Sequence, residues 1–143
     1  MNAKKPVDFD ELYPGRFLKA GELHGKQVTL KIAAVDTEEL EGDAGKKVKG
    51  IISFERTTKQ LVLNKTNGIC LREMFGRQLA AWVGKHVTLF ASEFNGEPCV
   101  RVYGSPDIAA DMPVDVQLPK RKPIKMVMRK VATKQERQPG EEG

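Results

Sequence analysis

The chain has 143 residues, 30% of them charged and 40% hydrophobic, with 24 Lys or Arg against 19 Asp or Glu and only two Cys. That suffices for one domain with tails and a modest core, and Cys70 and Cys99, lacking CxxC spacing or a neighbouring His, read as reduced packing residues rather than a zinc site. The net charge of +5 sits in the tail: residues 119–143 hold eight Lys or Arg against three Glu, while residues 1–118 hold sixteen of each sign, so net charge alone supports nucleic-acid binding weakly.

Met1 to Pro6 shows no apolar h-region and the longest apolar runs are a few residues, so a soluble, cytoplasmic protein without membrane contact is expected. Residues 1–26 read as an N-terminal arm whose anchors, Phe9, Leu12, Tyr13, Phe17 and Leu18, pack on the domain. From Gln27 the period is two, with Val28, Leu30 and Ile32 on one face of a half-buried strand. The acidic stretch Asp36 to Gly45 reads as a long connection, and its carboxylates lack the spacing of a calcium loop, so no metal is expected. Lys46 to Phe54 alternates again, and a polar turn, Arg56 to Lys59, leads into Gln60 to Asn64 as the second arm of a hairpin.

Thr66 or Asn67 is the expected cap of a short helix over about Asn67 to Phe75, with Leu71, Met74 and Phe75 as its apolar stripe. Phe54, Phe75 and Phe90 fall on apolar faces, and Trp82 is expected to plug the core. Two strands follow, His86 to Phe90 and Cys99 to Tyr103, joined through a turn at Asn95-Gly96. The expectation is therefore an all-β fold with one short helix: a closed or nearly closed five-stranded barrel (β-β-β-α-β-β) over residues 27–104, with extended N- and C-terminal arms. Residues 105–133 read as a basic extended arm that lays strand-like pieces on the barrel. There Val114, Val116 and Leu118, then Ile124, Met126 and Met128, alternate around Pro119-Lys120-Arg121-Lys122-Pro123. Residues 134–143 read as a disordered tail.

Gln60-Leu61-Val62-Leu63-Asn64-Lys65-Thr66-Asn67, Met74-Phe75-Gly76, Trp82-Val83-Gly84-Lys85 and Cys99-Val100-Arg101-Val102 resemble a widespread group of small bacteriophage proteins. That group carries an LVLNKTN string, a W-x-G-K string and a final IRV strand, and the resemblance covers roughly residues 18 to 104. It implies an OB-like (oligonucleotide/oligosaccharide-binding) barrel linked to phage replication or recombination, and it carries no catalytic residues across.

Single-strand binding requires cations that follow phosphates and flat side chains on which bases stack. The expected cations are Lys31, Lys47, Lys49, Arg56, Lys59, Lys65 and Arg101, joined by Lys120, Arg121 and Lys122 of the arm. The expected stacking residues are Phe94 and Tyr103, with Tyr13 as a third. His24 and His86 stand beside no Ser, Cys or carboxylate arrangement in sequence, and no phosphate loop or dinucleotide fingerprint occurs, so neither enzyme activity nor a cofactor is expected. The expected partner is single-stranded DNA, together with a phage or host replication or recombination protein. The alternative is a protein-interaction module in which the barrel or the 113–133 arm docks on a phage or host protein without nucleic acid, its strand-like pieces adding to an exposed edge.

Overall fold

The computed structural model describes residues 16–42, 45–94 and 96–132. Tyr13, the other anchors before Arg16, Asn95 of the expected turn and the tail from 134 lie outside them. Seven strands run in order, β1 (Val28–Gly42), β2 (Gly45–Phe54), β3 (Gln60–Leu63), β4 (His86–Phe94), β5 (Glu97–Ser105), β6 (Met112–Val116) and β7 (Ile124–Lys130). One α-helix among the described residues, α1 (Lys65–Phe75), separates β3 from β4, and short 3-10 turns occupy Ala20–Leu23 and Leu79–Trp82. No described helix is long and apolar enough to cross a membrane.

The fold is mostly β, as expected, but the strands make one open seven-stranded sheet in the order β3-β2-β1-β4-β5-β7-β6. Every pairing is antiparallel except β5 with β7. β1 is the pivot: Val28 to Lys31 pair with β4, and from Ile32 onward, across an irregularity between Ile32 and Ala34, the strand pairs with β2. Bulges of this kind bend a strand and sharpen its twist. Both halves then share one core, with Ile32, Ile52, Phe54 and Leu61 on one side and Val87, Leu89, Val100 and Val102 on the other. Phe75 and Phe90 are half-buried rather than fully enclosed. Trp82 is 3% exposed, and its indole N–H donates to the Gly76 carbonyl at 2.8 Å.

β3 does not pair with β5, the pairing that would close a five-stranded barrel; the first turn of α1 stands in that place. The cap is Asn64, not Thr66 or Asn67: its Oδ1 accepts from the Asn67 backbone N–H at 2.8 Å. This frees the Asn67 side chain, which is 1% exposed, for a different task. Its Nδ2 donates to the Val100 carbonyl at 2.9 Å and its Oδ1 accepts from the Val102 N–H at 3.2 Å. One carboxamide thus imitates a peptide group and supplies β5 with a ladder rung.

The acidic stretch is a second correction. Asp36 to Gly42 continue β1 and pair with Gly45 to Ile51, so most of the expected long connection is one strand of a two-stranded ribbon. Cross-strand charge explains it, since Glu41 lies opposite Lys46 and Glu38 opposite Lys49, and opposite charges directly across an antiparallel pair favour the ladder.

Residues 112–130 form an antiparallel hairpin in which Val114, Val116 and Met128 are buried in the shared core. β7 docks parallel to β5 through Gly104 and Ser105. A Cβ added at Gly104 would lie 2.6 Å from the Arg129 nitrogen, so only glycine allows this approach. β6, carrying Pro113, is the outermost strand at this end of the sheet.

Candidate nucleic-acid interface

The outward face of the β4–β5 hairpin places Phe90, Phe94, Arg101 and Tyr103 side by side, because Phe90 lies opposite Arg101 in the ladder. The Phe90 and Tyr103 rings meet edge to face, with centroids 5.6 Å apart and planes at 80°. Arg101 sits with its guanidinium carbon 5.7 Å from the Phe94 ring centroid. Arg121, from the turn between β6 and β7, reaches the same ring at 5.1 Å. A ring's negative face attracts each cation by about 0.5–1 kcal/mol at an exposed site. Three residues far apart in sequence, Phe94, Arg101 and Arg121, are thereby brought into one cluster.

The turn that delivers Arg121 is held tightly. Arg121 N–H donates to the Leu118 carbonyl at 3.2 Å, and the Gln117 carboxamide donates to the carbonyls of Leu118 at 3.1 Å and Arg121 at 2.8 Å. Pro119 takes the second position, and Lys120 takes the third with φ of 59°, where Gly or Asn is the relaxed choice. Lys120, Arg121 and Lys122 are all exposed on this knuckle.

The remaining expected cations lie elsewhere. Lys31 pairs with Glu55 at 3.7 Å, and Arg56 occupies the β2–β3 turn with φ of 69°. Lys59, expected to point outward, is instead 5% exposed and pairs with Glu22 at 3.1 Å. Lys47 and Lys49 lie on the ribbon among Asp36, Glu38, Glu39 and Glu41. Glu38 is bound at both oxygens by Arg16, each at 2.7 Å, and those hydrogen bonds hold its carboxyl below the ordinary range. Lys65 is exposed at the start of α1. Sequence reasoning missed Glu22 and Gln117 and gave Asn67 the helix cap in place of its contacts to β5, because these roles depend on partners distant in the chain or across a turn.

A cleft of about 450 Å³ opens between β3 and β5, lined by Leu18, Leu61, Val62, Asn67, Pro98 and Cys99 among others. It occupies the unpaired seam beside the Asn67 rung.

His86 acquires a Ser and an Asp in three dimensions. Its Nδ1 lies 3.0 Å from Asp107 Oδ2, which also accepts from the His86 backbone N–H at 2.6 Å. Ser105, however, is fully buried, and its hydroxyl donates to the His86 carbonyl and accepts from the Asp107 N–H. A hydroxyl committed to two backbone groups is not the nucleophile of a base on the imidazole. The trio braces the corner after β5. Among the described residues no group of three or more His, Cys, Asp or Glu converges in the manner of a metal site.

No known protein family, curated protein or solved structure matches this chain.

Proposed function

We propose that the protein is a single-stranded-DNA-binding module of OB-like design, serving phage replication or recombination. The observation that carries this reading is the arrangement around α1. Five strands follow the order β-β-β-α-β-β, β1 is shared between the two halves, and the helix bridges β3 to β5 where an OB barrel would close. The β6–β7 hairpin extends β5 instead, so the design is a barrel opened at one seam and enlarged. The strings Gln60–Asn67 and Trp82–Lys85, by which the chain resembles the phage group, support the same reading: they supply the cap, the rung and the buried indole on which the arrangement depends. The test is titration of labelled single-stranded and duplex oligonucleotides at low salt. Micromolar affinity for the single strand, stronger than for duplex and falling with salt through counterion release, is the expected outcome.

A protein-interaction module is the second reading, favoured by the cleft between β3 and β5, whose flanking strands do not pair across it. An extended peptide added there would lengthen the sheet. Absence of binding to any single strand at low salt would move the assignment to this reading.

A further inference from the structure

We infer that the single strand is gripped at one compact site, Phe94 with Arg101 and Arg121 rimmed by Lys120 and Lys122, and not along the β1–β2 ribbon. This rests on the single-strand reading above and assigns its location. Two guanidinium groups converge within 6 Å of one ring centroid. Neither forms an ion pair among the described residues, in contrast to Arg16, Arg72 and Arg129. Arg101 reaches a neutral acceptor, the Asn64 carboxamide oxygen, at 3.5 Å. Glu97 stands opposite Phe94 in the ladder, yet it pairs with neither arginine. Two like charges gathered on one ring with no carboxylate paired to either leave positive charge uncompensated, and a polyanion compensates it on binding.

The knuckle points the same way. A lysine is held at a φ of 59° where glycine would be relaxed, and backbone in such regions costs about 1–3 kcal/mol and tends to mark functional sites. Gln117 fixes the turn beforehand, so the cations lose little freedom when a ligand arrives. From Val116 to Ala132 the chain contains six Lys or Arg and no Asp or Glu. The ribbon offers the opposite electrostatics, setting Asp36, Glu38, Glu39 and Glu41 against Lys46, Lys47 and Lys49. In the inferred mode each guanidinium offers its plane to a base and its N–H edge to a phosphate, while Lys120 and Lys122 meet the flanking phosphates; Arg planes and aromatic faces both accept unstacked bases.

Fluorescence anisotropy of a labelled oligo-dT with the full chain tests the assignment. Arg121→Gln alters an exposed turn residue, and Arg101→Gln/Arg121→Gln removes both guanidinium groups from the Phe94 ring. The double variant is expected to bind about tenfold or more weakly, and its log affinity against log salt should flatten by about 1.4, roughly 0.7 for each phosphate no longer neutralised. Lys47→Gln/Lys49→Gln should stay within about twofold of the parent, since Lys49 lies opposite Glu38, Lys47 lies opposite Leu40, and the acidic strand carrying Asp36, Glu38, Glu39 and Glu41 offsets their attraction for phosphate. Arg101→Lys/Arg121→Lys keeps the charge and loses the plane, so the salt slope should persist while affinity falls. Should the double Gln variant fail to melt like the parent, Arg121→Gln alone decides, with half the slope change expected. Unchanged binding and slope in the arginine variants, with loss in the ribbon variant, would overturn the location and leave the single-strand reading standing. No binding by the parent protein at low salt would overturn both.

Discussion

Asn67 shows how much one side chain can carry. Its two hydrogen bonds serve backbone groups of Val100 and Val102, residues that are 8% and 0% exposed. Asn67→Leu keeps the approximate volume and removes both bonds, and each buried backbone group left unpaired costs about 1–3 kcal/mol. A loss of about 2–4 kcal/mol in chemical denaturation is expected; loss under 1 kcal/mol would show that water replaces the rung. Asn64→Ala should cost only about 1 kcal/mol, the ordinary value of a helix cap. The string Leu61 to Asn67 announces a strand passing into a helix, and that was legible. Which Asn caps was not: both have the chemistry, and the choice depends on β5, some 35 residues later.

Among the elements, the β6–β7 hairpin depends on Gly104 and Asp111. Gly104→Ala forces a methyl into the Arg129 backbone. Overpacking of this kind costs about 1–3 kcal/mol or more, and here it should lift β7 away, so trypsin should cut among Lys120 to Lys130 well before the rest of the fold. Asp111 accepts from the Lys130 N–H at 2.8 Å and from Arg129 at 3.1 Å, and these bonds, the backbone one foremost, hold its carboxyl below the ordinary range. A lowered folded-state pKa stabilises above the unfolded value, about 3.9 for Asp, and that contribution is lost as pH falls through the folded one. Melting temperature should therefore drop below about pH 4, and Asp111→Asn should show a shallower drop; equal acid sensitivity in the two proteins would exclude Asp111 as a source. The alternation of Val114, Val116, Met126 and Met128 was visible in the sequence. Pro119 and Pro123 disguised it as an arm because prolines at a turn and prolines that break a strand look alike locally. The ribbon was hidden for a different reason: a run of acids resembles a solvated loop until its basic partner strand is laid beside it.

At the scale of the whole molecule, the strand order required knowledge of distant pairings. β1 with β4 and β5 with β7 are set by the bend at Ile32 to Ala34 and by Gly104, not by any local period. The two thiols report on this architecture from different depths. Cys70 is fully buried within the shared core, and burial pushes its thiol up to about 11, whereas Cys99 is half-exposed on the cleft. A maleimide should therefore modify Cys99 in the folded protein and reach Cys70 only at the rate of global opening. Mass spectrometry of partly labelled protein settles the order, and equal labelling at both sites would mean that α1 leaves β5 far more readily than the Asn67 bonds imply.

Seven strands in an open sheet raise the question of how the molecule avoids fusing with its copies at high concentration. The bridge from Phe17 to Gln60 covers the first residue of β3, and the Asn67 carboxamide occupies β5 at Val100 and Val102, which leaves only a short stretch of the seam open. The outer margin of β6 carries Pro113, which has no N–H to donate, and the exposed charge of Asp115. Such features deny a neighbouring chain a continuous template for fibril growth. Crowding of this protein is then compatible with each copy remaining a separate particle.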